Sequence, residues 1–516
     1  LKNQSLLKLF TYGFYISKLY LMKKTLGVGY LKVLLVATVI AILIVTTGYS
    51  YVNRGEIIFI DKVENGGTED PLQANELNLS NSYEYKSWKN TADTTFKSLY
   101  NGNQAEDILA MRPEMVILWA GYGFAKSYLS PRGHMYAIED LYRSLRTGAP
   151  RKANDGPQPA SCWACKSLDV PRLIDEVGSD GFYKKKWYDW GSEVVNPVGC
   201  GDCHDPESMD LRVPRQFLID ALKREGDPIE DASDQRMRSL VCAQCHAEYY
   251  FEVENKEVVL PWDSGYTVEA MENYYDKIGF SDYVHKLSKA PMLKAQHPDF
   301  ELAQMGIHAR RGVSCGECHM PYVEEEVRSY NNHHIQSPLA MIEKTCQTCH
   351  HESAEVLRQD VYTRQNKAVE LRNKLEKELA KAHIEAKFAW DRGAADNQME
   401  PVLKLLRQAQ WRWDFAIASH GAAFHAPQEV QRILGDGLYK TMQARLVIKD
   451  VLNKHGYNQE VPMPDISTKE KAQKYIGLDM KSELAAKDEF LKTVIPEWTK
   501  EAKANKRFIE EYKVAR

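Results

Sequence analysis

All ten cysteines fall into five C-x-x-C pairs, Cys162/Cys165, Cys200/Cys203, Cys242/Cys245, Cys315/Cys318 and Cys346/Cys349, and none is left over. Histidine follows four of the pairs directly, as His204, His246, His319 and His350, while Lys166 follows the first. C-x-x-C-H is the attachment signature of c-type haem: two thioethers grip the porphyrin edge and the next residue turns its imidazole to the iron. Histidine supplies 15 of 516 residues, so four matches in four by chance is on the order of one in a million for this motif. Zinc pairs do not need a histidine directly after each, and a redox C-x-x-C usually occurs once. Five haem plates occupy much of any core, and the polypeptide need only wrap them. The uneven spacing of the pairs excludes a solenoid of repeats.

The remaining composition narrows the class. Lys and Arg number 67 against 71 Asp and Glu, a formal charge of −4, which excludes a basic nucleic-acid footprint and any nucleic-acid partner. Residues 1–21, ahead of Met22, read as an upstream extension, and 22–55 as a signal anchor or signal peptide. The run 33–53 carries no charge, and about 20 apolar residues suffice to span a bilayer. Lys23, Lys24 and Lys32 precede it, which sets the body outside the cytoplasm. Gly48-Tyr49-Ser50 is a poor cleavage site, so an uncleaved anchor is favoured over a cleaved peptide. The expected location is a periplasm, with the protein tethered to the cytoplasmic membrane.

The lysine motif is where chemistry is expected. Electron-transfer haems usually have both axial positions filled by protein, and catalytic haems keep one open. Lysine ligates iron only when neutral, a state that burial and the metal charge both favour. Eleven histidines remain after the four that follow cysteine pairs, enough to fill the distal positions of four haems.

Cys162-Trp163-Ala164-Cys165-Lys166 resembles the active-site motif of the ammonia-forming pentahaem cytochrome c nitrite reductases, the cytochrome c-552 family. The order of one C-x-x-C-K and four C-x-x-C-H matches that family, and the likeness runs from about residue 95 to the C-terminus. Leu145-Arg146-Thr147-Gly148-Ala149-Pro150, Glu248-Tyr249 after the third motif, and Lys294-Ala295-Gln296-His297 match further family segments. The resemblance implies that Arg146, Tyr249 and His297 line the distal pocket opposite Lys166. It implies a Ca²⁺ held by side-chain oxygens of Glu248 and Gln296 and backbone carbonyls of Tyr249 and Lys294, hard oxygen ligands that suit this ion. It also implies distal ligands: His134 for the third haem, His308 for the fifth, His334 for the second and His425 for the fourth. The residues alone leave His333 against His334, and His420 against His425, open. His285, His351, His383 and His455 read as surface or packing residues.

The implied activity is six-electron reduction of nitrite to ammonium, with hydroxylamine and sulfite as side substrates. A non-enzymatic electron conduit and a multihaem oxidoreductase acting on hydroxylamine or sulfur oxyanions are the competing readings. The fold class expected is mainly α, wrapped around five covalent haems, with little β. Residues 56–351 form the pentahaem catalytic region. Residues 352–516, free of cysteine, form a helical region with helices over about 353–382, 401–419 and 428–454 and a polar helical tail after Pro462 and Pro464. The resemblance implies a homodimer through such helices. Expected electron donors are a multihaem quinol-oxidising membrane cytochrome or a soluble cytochrome.

Overall fold

Each cysteine pair sits on a single helical turn, because a ligand directly after C-x-x-C lies one turn beyond the first cysteine. The amides of His204, His246 and His350 donate to the carbonyls of Cys200, Cys242 and Cys346, each at 2.9 Å. Both sulfurs and the imidazole therefore emerge on one side of the turn. The lysine motif winds more tightly: Lys166 donates to the Trp163 carbonyl at 2.9 Å, a three-residue step. The computed structural model describes residues 82–325 and 328–508, all within the part of the chain that begins at Gly66. Residues 1–21, 22–55 and the apolar run 33–53 lie outside the described residues. No helix among the described residues is long and apolar enough to cross a membrane.

The molecule is mainly α, as expected. Among the described residues the strands form three short antiparallel hairpins, the longest pairing Tyr322 with Asn331 and Glu325 with Arg328. The first part, up to about residue 350, is short helices and turns that carry the cysteine motifs. The second part is four longer helices: α1 (Ala354–Asp391), α2 (Asp396–Ala418), α3 (Pro427–Lys454) and α4 (Met480–Ala504).

Two of these helices carry matching stripes. Along α1, Val361, Gln365, Ala368, Leu375, Leu379, Ala382, Ala386 and Ala389 are buried at spacings of three, four and seven. Along α3, Val430, Leu434, Gly437, Thr441, Ala444, Ile448 and Val451 repeat the three–four alternation without a break. This is the period of helices that pack side by side with knobs in holes. The tightest approach is at Gly437, where an added Cβ would stand 3.0 Å from Leu375 Cδ2 and 3.3 Å from the Ala409 carbonyl of α2. Three helices meet there, and only hydrogen fits without adjustment. Arg445 of α3 then forks onto Glu385 of α1 at 2.9 and 2.6 Å.

Helix boundaries differ from the expected ones in two places. Helix α1 begins where Ser353 accepts the Val356 amide but continues to Asp391 rather than stopping near 382, because His383, Ile384, Ala386 and Ala389 are buried. Helix α2 starts five residues before Pro401, with Gln398 accepting the Ala395 amide, and Pro401 is absorbed near its beginning. Trp411, Trp413 and Phe415 of α2 are fully buried, so this helix is the spine against which the motif-bearing part packs.

Candidate active site

The first cysteine pair lies in a turn, Ala160–Trp163, fixed by the Trp163 indole donating to the Trp187 carbonyl at 2.9 Å and stacking on Trp187 at 5.1 Å. Lys166 makes no side-chain hydrogen bond or ion pair among the described residues. Its charge is felt by Cys162, Cys165, His134, His246 and His297. The expected pocket residues gather around it. Arg146, on the turn Leu145–Thr147, lies beside Cys162 and Tyr249. Tyr249 is near enough to both cysteines of the pair for their charge to act on it. Burial raises the Tyr249 hydroxyl far above its ordinary value, so it stays protonated. Burial first, and the Lys166 charge second, push His297 well below an ordinary imidazole.

The other four motifs face rings supplied from elsewhere in the chain. Ring centres stand 6.2 Å apart for His204 and His333, 6.2 Å for His319 and His425, and 6.3 Å for His350 and His308. Two metal–imidazole bonds of about 2 Å, with about 1 Å from nitrogen to ring centre at each end, add to about 6 Å. The gaps therefore fit one iron between each pair. His246 has two rings at 6.3 Å, His134 and His297. Distance alone does not choose between them. The expected distal ligand is His134.

The tautomers fit the same purpose. His204, His319 and His333 each place Nδ1 against a backbone carbonyl, Met209, Gln336 and Asn331, at 2.7–2.9 Å. Nδ1 then keeps the proton and Nε2 offers its lone pair to a metal. His334 is the opposite case and corrects the expectation that it serves the second haem. Its Nδ1 accepts from the Gln336 amide at 3.2 Å, which leaves the proton on Nε2. It is His333, not His334, whose ring faces His204. A carbonyl two residues back is the signal for this choice, and it exists only once the chain is folded. His425 is packed against Gly421 so closely that a Cβ there would lie 2.5 Å from the ring. Among the described residues it is the His425 ring, not that of His420, that faces the motif histidine His319. His285 and His383 are buried packing residues, stacked at 3.8 Å and both bonded to Ser288.

Cys349 lies at the surface end of the fifth motif. Its sulfur-bearing side chain is exposed, whereas the other nine cysteines are half-buried. The physical reason is its place in the chain. The turn Cys346–Thr348 has no buried residue of its own, and Thr348, His350, His351 and Glu352 around Cys349 are exposed as well. This last motif is followed at once by Ser353 and the start of α1, so no later loop folds back over it. The C-x-x-C-H spacing and the His308 ring opposite His350 mark the fifth motif.

The motifs are not arranged in sequence order. Cys165 of the first pair and Cys245 of the third lie within hydrogen-bonding reach, as do Cys242 of the third and Cys315 of the fourth. Cys318 of the fourth and Cys346 of the fifth are neighbours, as are Cys203 of the second and Cys242 of the third. The lysine motif is thus at one end of a run through the third motif.

Beside the pocket lies an acidic, buried patch. Glu248, Asp282 and Asp414 lie around the Lys294 side chain, whose ammonium bonds Asp414 at 2.8 Å, and Glu301 adjoins Glu248, accepting its backbone amide at 2.7 Å. Burial raises Asp282 to about 7 and Glu301 to about 8. Glu248 accepts the Gln296 amide at 2.6 Å and the Tyr275 hydroxyl at 3.1 Å, and the Gln296 side chain meets the Lys294 carbonyl at 3.2 Å. No three His, Cys, Asp or Glu side chains among the described residues converge on one metal-sized point. The expected calcium set has one carboxylate, one amide and two carbonyls, and Glu248, Gln296 and Lys294 are already together. Burial disfavours the charged form of these carboxyls, and a divalent cation among them would offset that cost, which suits the patch to such an ion.

Residues 75–507 match the family model of cytochrome c552. Among similar proteins, the cytochrome c-552 of Parabacteroides distasonis is 65% identical over 424 residues, covering 82% of this chain and 86% of its own. That of Bacteroides thetaiotaomicron is 63% identical over 427 residues, covering 83% and 87%. Among solved structures, the cytochrome c nitrite reductase of Desulfovibrio desulfuricans superposes with a TM-score of 0.69 at 28% identity, covering 78% of this chain and 87% of that one. The catalytic subunit of that enzyme has two calcium sites.

Proposed function

This chain belongs to the cytochrome c552 family, and from that premise we propose that it is a nitrite reductase that carries nitrite through to ammonium in the pocket beside Lys166. The observation that carries the reading is the convergence of Arg146, Tyr249 and His297 on the cysteine pair followed by lysine. The nitrite reductase among the similar structures supports it. The conversion consumes one nitrite, six electrons and eight protons and yields ammonium and two waters. The five cysteine pairs would hold haems, with Lys166 beside the first, and these would supply redox-active iron and the electrons for the reduction.

The protein's own groups do the rest. Arg146 attracts the anion and stabilises charge as the first N–O bond breaks. Tyr249 keeps its proton and donates it toward a departing oxygen. His297 is held neutral partly by the charge on Lys166. An anion bound beside His297 favours the charged imidazole, so His297 can take a proton as the anion enters. Glu248, Gln296 and the carbonyls of Tyr249 and Lys294 would hold calcium, which offsets the buried carboxylates and keeps Tyr249 in place. The distal ligands are His134, His308, His333 and His425.

Hydroxylamine and sulfite, small and polar like nitrite, are side substrates of the same pocket. We infer a homodimer through α3, where Tyr439, Met442 and Leu446 form an exposed stripe on the side away from the core. The body lies in the periplasm, tethered by residues 33–53, and takes electrons from a quinol-oxidising multihaem cytochrome or a soluble cytochrome.

The test supplies haem-loaded protein with a reduced viologen dye and nitrite and quantifies ammonium. Near-stoichiometric ammonium with six electrons consumed per nitrite is expected. Haems that reduce fully while nitrite is left untouched would overturn the assignment.

A further inference from the structure

A buried arginine ordinarily finds a carboxylate, because an unpaired charge out of water is costly. Arg146 does not: it forms no ion pair among the described residues. Its Nε donates to Ser144 Oγ at 3.1 Å. Its guanidinium carbon stands 4.1 Å from the centre of the Phe124 ring and 6.0 Å from that of Tyr128. The same Phe124 ring carries the Lys294 ammonium at 4.8 Å, and Lys294 is anchored on Asp414. One phenyl ring therefore touches both the arginine of the pocket and the lysine of the acidic patch.

The ring is itself held firmly. Tyr122 lies parallel to it at 5.4 Å and 2°, and Trp119 and Tyr128 tilt against it at 5.1 and 5.6 Å. Gly123 packs on the arginine stem, with a Cβ there 3.8 Å from the Arg146 Cα, Cβ and Cγ. An aromatic face attracts a cation through its quadrupole yet carries no net charge. A carboxylate in its place would hold the arginine and cancel it.

We propose that Phe124 is a positioning residue that holds the Arg146 guanidinium beside the first cysteine pair while leaving its charge free for an anion, and so favours anionic over neutral ligands. The proposal rests on the nitrite reading above. In that reading Phe124 touches no substrate and acts only through Arg146.

Two variants separate the face from the bulk. Phe124→Leu keeps an apolar side chain and loses the π face, and Phe124→Tyr keeps the face. Oxidised, haem-loaded protein is titrated at pH 8 with nitrite and with hydroxylamine, a neutral probe, and binding is followed by the Soret shift. Phe124→Leu should weaken nitrite binding roughly three- to tenfold, leave hydroxylamine binding unchanged, and keep the wild-type haem content. Phe124→Tyr should restore nitrite affinity. Equal weakening of both ligands, or none for nitrite, overturns the proposal, since general disturbance of the pocket would move both. If wild-type protein binds no nitrite, the nitrite reading fails independently. Crystal structures of wild type and Phe124→Leu then decide: a displaced guanidinium supports the positioning role, and an unmoved one overturns it.

Discussion

At the scale of single residues, the motif ligands and the pocket differ in how they are specified. The cysteine pairs and the residue that follows each are bound by covalent chemistry to a fixed local spacing, so they can be read without a fold. Their surroundings cannot: Cys349 has the same spacing as its nine counterparts, and only the folded chain leaves it exposed. Arg146, Tyr249 and His297 come from distant segments, and only the resemblance singled them out. His333 and His334 could not be told apart, because the choice depends on which Nδ1 meets a carbonyl. Replacing His333 with alanine should turn one low-spin haem high-spin by electron paramagnetic resonance, while His334→Ala should leave the low-spin signals intact. Lys166→His should keep five haems by pyridine haemochrome assay but lose most ammonium formation, and full activity would deny the lysine a special role. Arg146→Ala should lower kcat/KM for nitrite by about 10²-fold, the usual scale for removing one preorganised charge from a transition state.

At the scale of elements, α1 and α3 are held by the interlocking stripes that cross at Gly437 and Leu375. Their existence was legible as polar helical periodicity. Their extent was not, since the end of α1 is buried by partners distant in sequence. Leu375 is fully buried, and truncating it to alanine should cost about 2–5 kcal/mol, measured by denaturant unfolding of the haem-loaded protein. The stacked pair His285 and His383 joins α1 to the hairpin Tyr283–Val284/Pro291–Met292. Burial lowers His285 from 6.5 to about 4, and burial and His285 lower His383 further. Between those values the unfolded chain binds protons that the folded chain refuses, so stability is full above pH 6.5 and falls as pH drops toward 4. His383→Gln should flatten that acid limb in a series of thermal midpoints, and an unchanged slope would place the sensitivity elsewhere.

At the scale of the whole molecule, the fold class was legible because the haem motifs foretell a core that the chain surrounds rather than fills. The stripe Tyr439, Met442 and Leu446 on α3 has no partner among the described residues, with exposures of 63, 41 and 56%, and the reading of a dimer predicts that a second copy covers it. Tyr439→Glu combined with Leu446→Glu should halve the mass seen by sedimentation, without loss of haem. Unaltered mass would move the interface to another face.

The rings that close the four gaps do not arrive in chain order. His134 is made before any cysteine pair, and His425, between α2 and α3, is made well after the last. On the proposed reading, all the covalent attachments could be made before the fourth site has its second ligand. That ligand would be delivered only when the long helices dock, and the spin state of the iron there would report that step. A population arrested before docking announces itself by colour, and folding of the C-terminal bundle can be timed in an optical cuvette without any added label.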